Sequence, residues 1–156
     1  MIKVTIIGSG NVGFHLVNLL HNSTKIKLNE WCSRSTDFDE RVKVINEIEN
    51  LSESDIYIIC VSDKSITEVS DKIQFKNKLV VHTSGSTPYN SLNNKNRRGV
   101  FYPLQTFSKS QKLNYSEIPI CIEAENNKDL ETLKKLSLDL NCKHYEINFE
   151  ERKTLH

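Results

Sequence analysis

The sequence predicts an α/β protein built on a doubly wound, mostly parallel sheet with helices on both faces. Three observations carry this. The chain opens on an apolar run, Ile2, Val4, Ile6 and Ile7, that passes through Gly8-Ser9-Gly10-Asn11-Val12-Gly13 into a helical pattern. Continuous apolar runs recur at residues 55–61 and 79–82, as suits strands covered on both faces. Helical stripes separate these runs, and such alternation implies right-handed crossovers between parallel strands.

Taken in order, residues 2–7 form the first strand. Val12, Leu16, Leu19 and Leu20 then recur at i, i+4, i+7 and i+8, one buried face of a helix that ends at Asn18, His21 and Asn22. Residues 26–32 read as the second strand. Residues 39–51 fit either period, through Val42, Val44, Ile45 and Ile48, and a helical turn followed by a short strand is expected there. After the fourth strand at 55–61, Ile66, Val69 and Ile73 mark a helix, with Ser65 and Glu68 at capping-box spacing. Residues 79–82 are the fifth strand. Pro88 suits the first turn of a short helix capped by Thr87, and Lys95, Arg97 and Arg98 read as a solvated basic stretch. Short strands at 100–102 and 118–122, a helix marked by Leu130, Leu133, Leu136 and Leu140, and a last strand at 142–147 complete the pattern.

A chain of 156 residues suits one domain with its own core. Its 21 basic and 20 acidic residues are interspersed, so no field favours nucleic acid or an anionic membrane as partner. The four cysteines form no CxxC and lie mostly in apolar runs, where reduced, buried thiols are expected. With no signal peptide or membrane span in view, a cytoplasmic location is expected. His15, His21 and His144 lack metal-ligand spacing, and no metal site is expected. A Gly-Lys-Ser/Thr phosphate loop and a GxSxG elbow are both missing, which argues against a P-loop nucleotidase and a hydrolase.

The glycine segment carries the chemistry. Gly8 permits the tight turn out of the strand, Gly10 lets the backbone approach a pyrophosphate, and Gly13 lets the helix pack close to the sheet. Together with Ser9, Asn11 and Val12 they put unpaired main-chain N–H groups and the positive end of a helix dipole where an anion would lie. About twenty residues further on, an NAD site usually places Asp or Glu on the ribose 2′-hydroxyl. This chain places Ser33-Arg34-Ser35 there, and a guanidinium with two hydroxyls suits the 2′-phosphate of NADP better than NAD. The competing reading makes these residues an ordinary exposed loop, with Glu30 or Asp37 on the ribose.

With Cys32-Ser33-Arg34-Ser35, Val61-Ser62-Asp63, His82-Thr83-Ser84-Gly85-Ser86 and Phe101-Tyr102-Pro103-Leu104-Gln105-Thr106-Phe107 located, the chain resembles a family. It is similar, over essentially its whole length, to the Rossmann-like NADP oxidoreductases of unassigned substrate, relatives of pyrroline-carboxylate reductase, the deazaflavin-dependent NADP reductases and the 6-phosphogluconate dehydrogenase group. The resemblance implies hydride transfer between NADP(H) and a small carbonyl, imine or hydroxy substrate. It places Val61, Ser62 and Asp63 beside the cofactor, with a helix cap as the competing role for Asp63. His82 and Ser84 become catalytic candidates, His82 as proton donor because its unperturbed pKa lies nearest neutral; a core-bonded histidine is the competing reading. Ser84, Gly85, Ser86, Tyr102 and Gln105 fall on the substrate side. In this family an all-helical domain follows, which supports a homodimer and helps enclose substrate. Residues 1–150 are therefore expected to be the cofactor domain and 151–156 the start of a linker or helix leading to that second domain. The alternative function is a non-catalytic NADP-binding sensor or interaction module; a methyltransferase would want an acidic residue where Arg34 stands.

Overall fold

In the computed structural model, which describes residues 1–155, eight strands form one sheet. The chain runs β1 (Ile2–Ile7), α1 (Asn11–His21), β2 (Ile26–Cys32), β3 (Lys43–Ile45), β4 (Ile56–Ile59), α2 (Ile66–Lys72), β5 (Leu79–His82) and β6 (Arg97–Pro103). It ends with β7 (Pro119–Ala124), α3 (Asn127–Asp139), β8 (Lys143–Glu146) and α4 (Phe149–Leu155). The strand order is β3-β2-β1-β4-β5-β6-β7-β8, parallel throughout except for the β6–β7 pair. This is the expected doubly wound α/β fold. The order reverses between β1 and β4, and such a switch point leaves a crevice beyond the carboxyl ends of the strands.

Strand alternation splits the core into two layers. Ile56 and Ile58 of β4 pack on the face covered by Leu16, Val17 and Leu20 of α1 and by Leu133 and Leu136 of α3. Tyr57 and Ile59 point the other way, onto Ile66 and Val69 of α2. Because both faces are covered, β4 and the first three positions of β5 are apolar throughout, while the buried polar Thr5 of β1 and His82 of β5 each have a hydrogen-bond partner. Each fully buried large aliphatic side chain contributes about 1.5–3 kcal/mol.

Four local expectations are corrected. Around β3 the helical turn follows the strand, as a 3-10 turn at Ile48–Asn50 that buries Ile48. The capping box does not form: a 3-10 turn, Asp63–Ser65, already runs into α2, the Ser65 hydroxyl faces Ser62 at 3.2 Å, and Glu68 pairs with Lys72 at 3.4 Å. Pro88 stands extended ahead of a 3-10 turn, Tyr89–Ser91, and Thr87 is buried rather than capping a helix. Arg97 and Arg98 are not a solvated stretch but open β6, with Arg97 Nε 2.9 Å from the buried Asp129 and Arg98 Nη2 2.7 Å from Glu125.

All four cysteines are free and buried. Among the described residues no helix is long and apolar enough to cross a membrane. The final helix, α4, is held to the sheet: Arg152 is fully buried, its guanidinium 2.6 Å from Glu123 of β7 and 2.7 Å from the Thr87 carbonyl.

Candidate functional site

At the switch point lies a groove of about 350 Å³. Its floor comes from the strand ends, Ile7-Gly8, Cys32-Ser33 and Cys60-Val61, and its walls from Ser9, Gly10, Arg34, residues 46–49, Ser62, Ser65, Val69 and Lys72. Burial pushes the two floor thiols up, Cys32 to about 11 and Cys60 to about 12, so both are neutral and the floor carries no anion.

The three glycines of the turn do three different things. Gly8 has φ +126, and a Cβ there would lie 2.3 Å from the Cys60 carbonyl oxygen. A Cβ on Gly13 would lie 2.4 Å from the Gly8 carbonyl oxygen, so α1 can press against the turn only as glycine. A Cβ on Gly10 meets nothing within 4 Å. Gly10 is the N-cap of α1 and faces the groove, and the first turn of α1 carries no acidic side chain. Packing therefore explains two of the glycines, while the third keeps space clear at a helix N-terminus, a cradle that fits a diphosphate.

The sequence-proposed residues divide here. Ser9, Gly10, Ser33, Arg34, Val61 and Ser62 reach the groove. Arg34 is exposed, and among the described residues it has no ion-pair partner. Ser33 is buried with its hydroxyl donating to Thr36 at 2.9 Å, and Ser35 lies outside the groove lining, so this end of the groove offers one cation rather than a cation with two hydroxyls. Asn11 turns away and donates to the Phe107 carbonyl at 3.0 Å, and Val12 packs against the core. Asn46, Glu47, Glu49, Ser65 and Lys72 line the groove unforeseen. Asn46 could have been found from its place just after a short strand, since it braces the Ser33–Thr36 turn by donating to both carbonyls at 2.8 and 2.9 Å.

Toward β5 the structure reassigns the strand-end residues. His82 is fully buried; its Nδ1 accepts the Ser84 N–H at 3.0 Å and its Nε2 faces the Pro88 carbonyl at 3.2 Å. Burial lowers its pKa from 6.5 to about 4, so at neutral pH the ring is the Nε2–H tautomer with its one proton committed to Pro88. This is the geometry of the competing reading, a core-bonded histidine: His82 shapes the turn through its contacts to Ser84 and Pro88. Ser84 is likewise buried, its hydroxyl donating to Thr87 at 2.9 Å and accepting the Ser86 N–H at 3.1 Å, which makes it a turn residue. Gly85 lies against Tyr102, whose ring would be 2.8 Å from an added Cβ. Ser86 is exposed and donates to Asp63 at 2.7 Å, so Asp63 holds a partner hydroxyl instead of capping α2. Gln105 is exposed on the loop after β6.

The state of His82 has a pH signature. An unfolded histidine protonates near 6.5 and the folded one only near 4, so as pH falls the unfolded chain takes the proton first. His82 thus contributes stability above pH 6.5 that is lost toward pH 4, at up to about 1.4 kcal/mol per pH unit. His82→Gln should show a flatter profile than wild type in urea unfolding between pH 7 and 5; parallel profiles would refute the assignment.

Residues 3–85, over half of the 156, match the family described as NADP oxidoreductase, coenzyme F420-dependent. No curated protein matches the chain in sequence. Among solved structures, a protein of Bacteroides fragilis provisionally named an NADP oxidoreductase is 27% identical with a TM-score of 0.83, aligned over 99% of this chain and 64% of that one. The pyrroline carboxylate reductase of Plasmodium falciparum, solved with NADP bound, is 16% identical with a TM-score of 0.74, over 96% and 58%. Prephenate dehydrogenase of A. aeolicus, solved with hydroxyphenyl propionate and NAD+, is 14% identical with a TM-score of 0.75, over 97% and 62%. The chain thus spans about three fifths of the length of these solved relatives. That match, over residues 3–85 and so including the first strand and the glycine turn, shows that this chain belongs to the coenzyme F420-dependent NADP oxidoreductase family.

Proposed function

We propose that this chain is the cofactor-binding part of an NADP-dependent oxidoreductase that reduces a small carbonyl or imine, or runs the reverse reaction. The carrying observation is the open face of Gly10 at the α1 N-terminus, in one groove with the exposed guanidinium of Arg34, which has no ion-pair partner among the described residues. The main chain of the turn would hold the diphosphate, and Arg34 the 2′-phosphate. Arg34 and Lys72 supply positive charge against Glu47 and Glu49 on the same walls, so the balance between NADP and NAD rests on Arg34.

When bound, a reduced nicotinamide supplies a hydride. What the chain adds is position. Ser86, its hydroxyl donating to Asp63, stands exposed past the carboxyl end of β5 and is our candidate to accept a hydrogen bond from the hydroxyl or amine of the reduced compound. Tyr102, half-buried behind Gly85, has its phenol pushed up by burial and stays protonated at neutral pH, as a donor on that side requires.

Arg34→Ala should weaken NADPH by about ten- to a hundredfold in titration calorimetry while changing NADH little, because charge-assisted hydrogen bonds contribute about 1.5–3 kcal/mol each. Equal losses for the two nucleotides would remove the NADP assignment.

A further inference from the structure

Trp31, the single tryptophan of the chain, sits next to last in β2, 4% exposed, on the core face that α1 covers. Its bulk explains its burial. A buried indole also needs a partner for its N–H, and here that partner is the Gly8 carbonyl at 2.8 Å. The Gly8 N–H meanwhile donates to the Cys32 carbonyl at 2.9 Å. Residues at the end of β2 therefore hold Gly8 by both of its main-chain polar groups.

The choice of acceptor matters because of what lies across the same peptide unit. In a planar trans peptide the C=O and the following N–H point in opposite directions. Drawing the Gly8 carbonyl inward to the indole therefore turns the Ser9 N–H outward, and Ser9 and Gly10 line the groove. The same carbonyl is the one that a Cβ on Gly13 would strike, so its direction also sets how closely α1 can approach. Glycine has an unusually wide range of backbone conformations, and without a fixed partner this peptide plane could rotate.

We propose that Trp31 is a positioning residue for anion binding: its indole N–H fixes the Gly8–Ser9 peptide plane so that the Ser9 N–H faces the diphosphate. This rests on the dinucleotide reading above. A preorganised donor costs less to order on binding, so removing the clasp should be felt by ligands that carry a diphosphate and not by those that lack one.

The test compares wild type with Trp31→Phe, which keeps an aromatic ring and removes the N–H. Because the chain has one tryptophan, biosynthetic replacement by β-(3-benzothienyl)alanine gives a second variant with sulfur in place of N–H and nearly the same shape, should phenylalanine not support folding. Binding of NADPH and of adenosine diphosphate ribose is measured by calorimetry, and that of adenosine 2′-monophosphate, which has no diphosphate, by ligand-observed NMR. The expected result is a loss of about five- to tenfold for the two diphosphates and none for the monophosphate. Equal losses for all three ligands would mean that Trp31 only supports the groove, and unchanged NADPH binding would mean that the clasp is idle; either overturns the proposal. Wild-type protein that binds neither NADPH nor NADH overturns the cofactor reading and this inference with it, whereas normal wild-type binding with an unaltered variant overturns the role of Trp31 alone.

Discussion

Gly8→Ala is expected to lower stability by about 3–5 kcal/mol, while Gly10→Ala, two residues away, leaves the fold intact and weakens dinucleotide binding. At Gly8 two penalties combine. A φ of +126 is a conformation that L side chains rarely adopt, and the added Cβ would sit 2.3 Å from the backbone oxygen of Cys60, which cannot swing aside because Cys60 N–H is tied to Ile7 of β1. Strain of that kind costs about 1–3 kcal/mol, and overpacking costs about the same again. For a chain of this size each kcal/mol shifts the melting midpoint by about 2–4 °C, so a drop near 10 °C or more is expected by scanning fluorimetry. At Gly10 φ is −73 and the Cβ meets nothing within 4 Å, so the unfolding midpoint should hold to within about 0.5 kcal/mol. The methyl group would instead occupy space the diphosphate needs, and NADPH affinity should fall at least about tenfold. Wild-type affinity in Gly10→Ala would place the anion elsewhere, and a wild-type midpoint in Gly8→Ala would mean that the turn relaxes freely.

That contrast marks what the sequence can say. The glycine turn, the central strands and the α1 stripe were legible because their causes are local: a turn needs particular residues in a row, and a doubly covered strand is apolar throughout. Arg97 and Arg98 looked solvated because the carboxylates that receive them, Asp129 and Glu125, lie on or just before α3, about thirty residues away, and only the sheet brings them together. The same reason hid the groove walls. Glu47 and Glu49 follow the three-residue β3, too short to show a period, and nothing nearby in sequence reveals that its end faces Arg34 across the crevice. For His82 the sequence leaves two readings open, for a different reason. Its residue type suggested an acid, but its chemistry is set by depth and by two main-chain neighbours, and those belong to tertiary structure. Trp31 lies inside a strand whose pattern shows only burial, and the direction of its N–H, which gives it a second role, is set by tertiary structure.

Arg152 shows how far the site depends on the end of the chain. Its side chain has no exposure, and its guanidinium joins α4 to β7 through Glu123 and to the turn after β5 through the Thr87 carbonyl, while its Nε has no hydrogen-bond partner among the described residues. A buried ion pair gains little over a well-packed apolar replacement, but removing one partner leaves the other charge uncompensated and costs about 3–5 kcal/mol. Arg152→Ala should therefore destabilise the protein by about that amount. Arg152→Met combined with Glu123→Leu, which removes both charges and keeps the volume, should recover most of the loss, and the double-mutant cycle measured in urea gives the coupling directly. There is a local consequence as well. Thr87 Oγ1 receives the Ser84 hydroxyl and Pro88 receives His82, so the Arg152 bond to the Thr87 carbonyl closes the far side of the turn that carries Ser86. Loosening that side should speed amide exchange at Ser84 and Ser86 in the double variant, even where global stability is restored. If exchange there stays at the wild-type rate, α4 braces the sheet without reaching the turn; if Arg152→Ala costs less than about 1 kcal/mol, water already reaches the guanidinium and the buried-pair account fails.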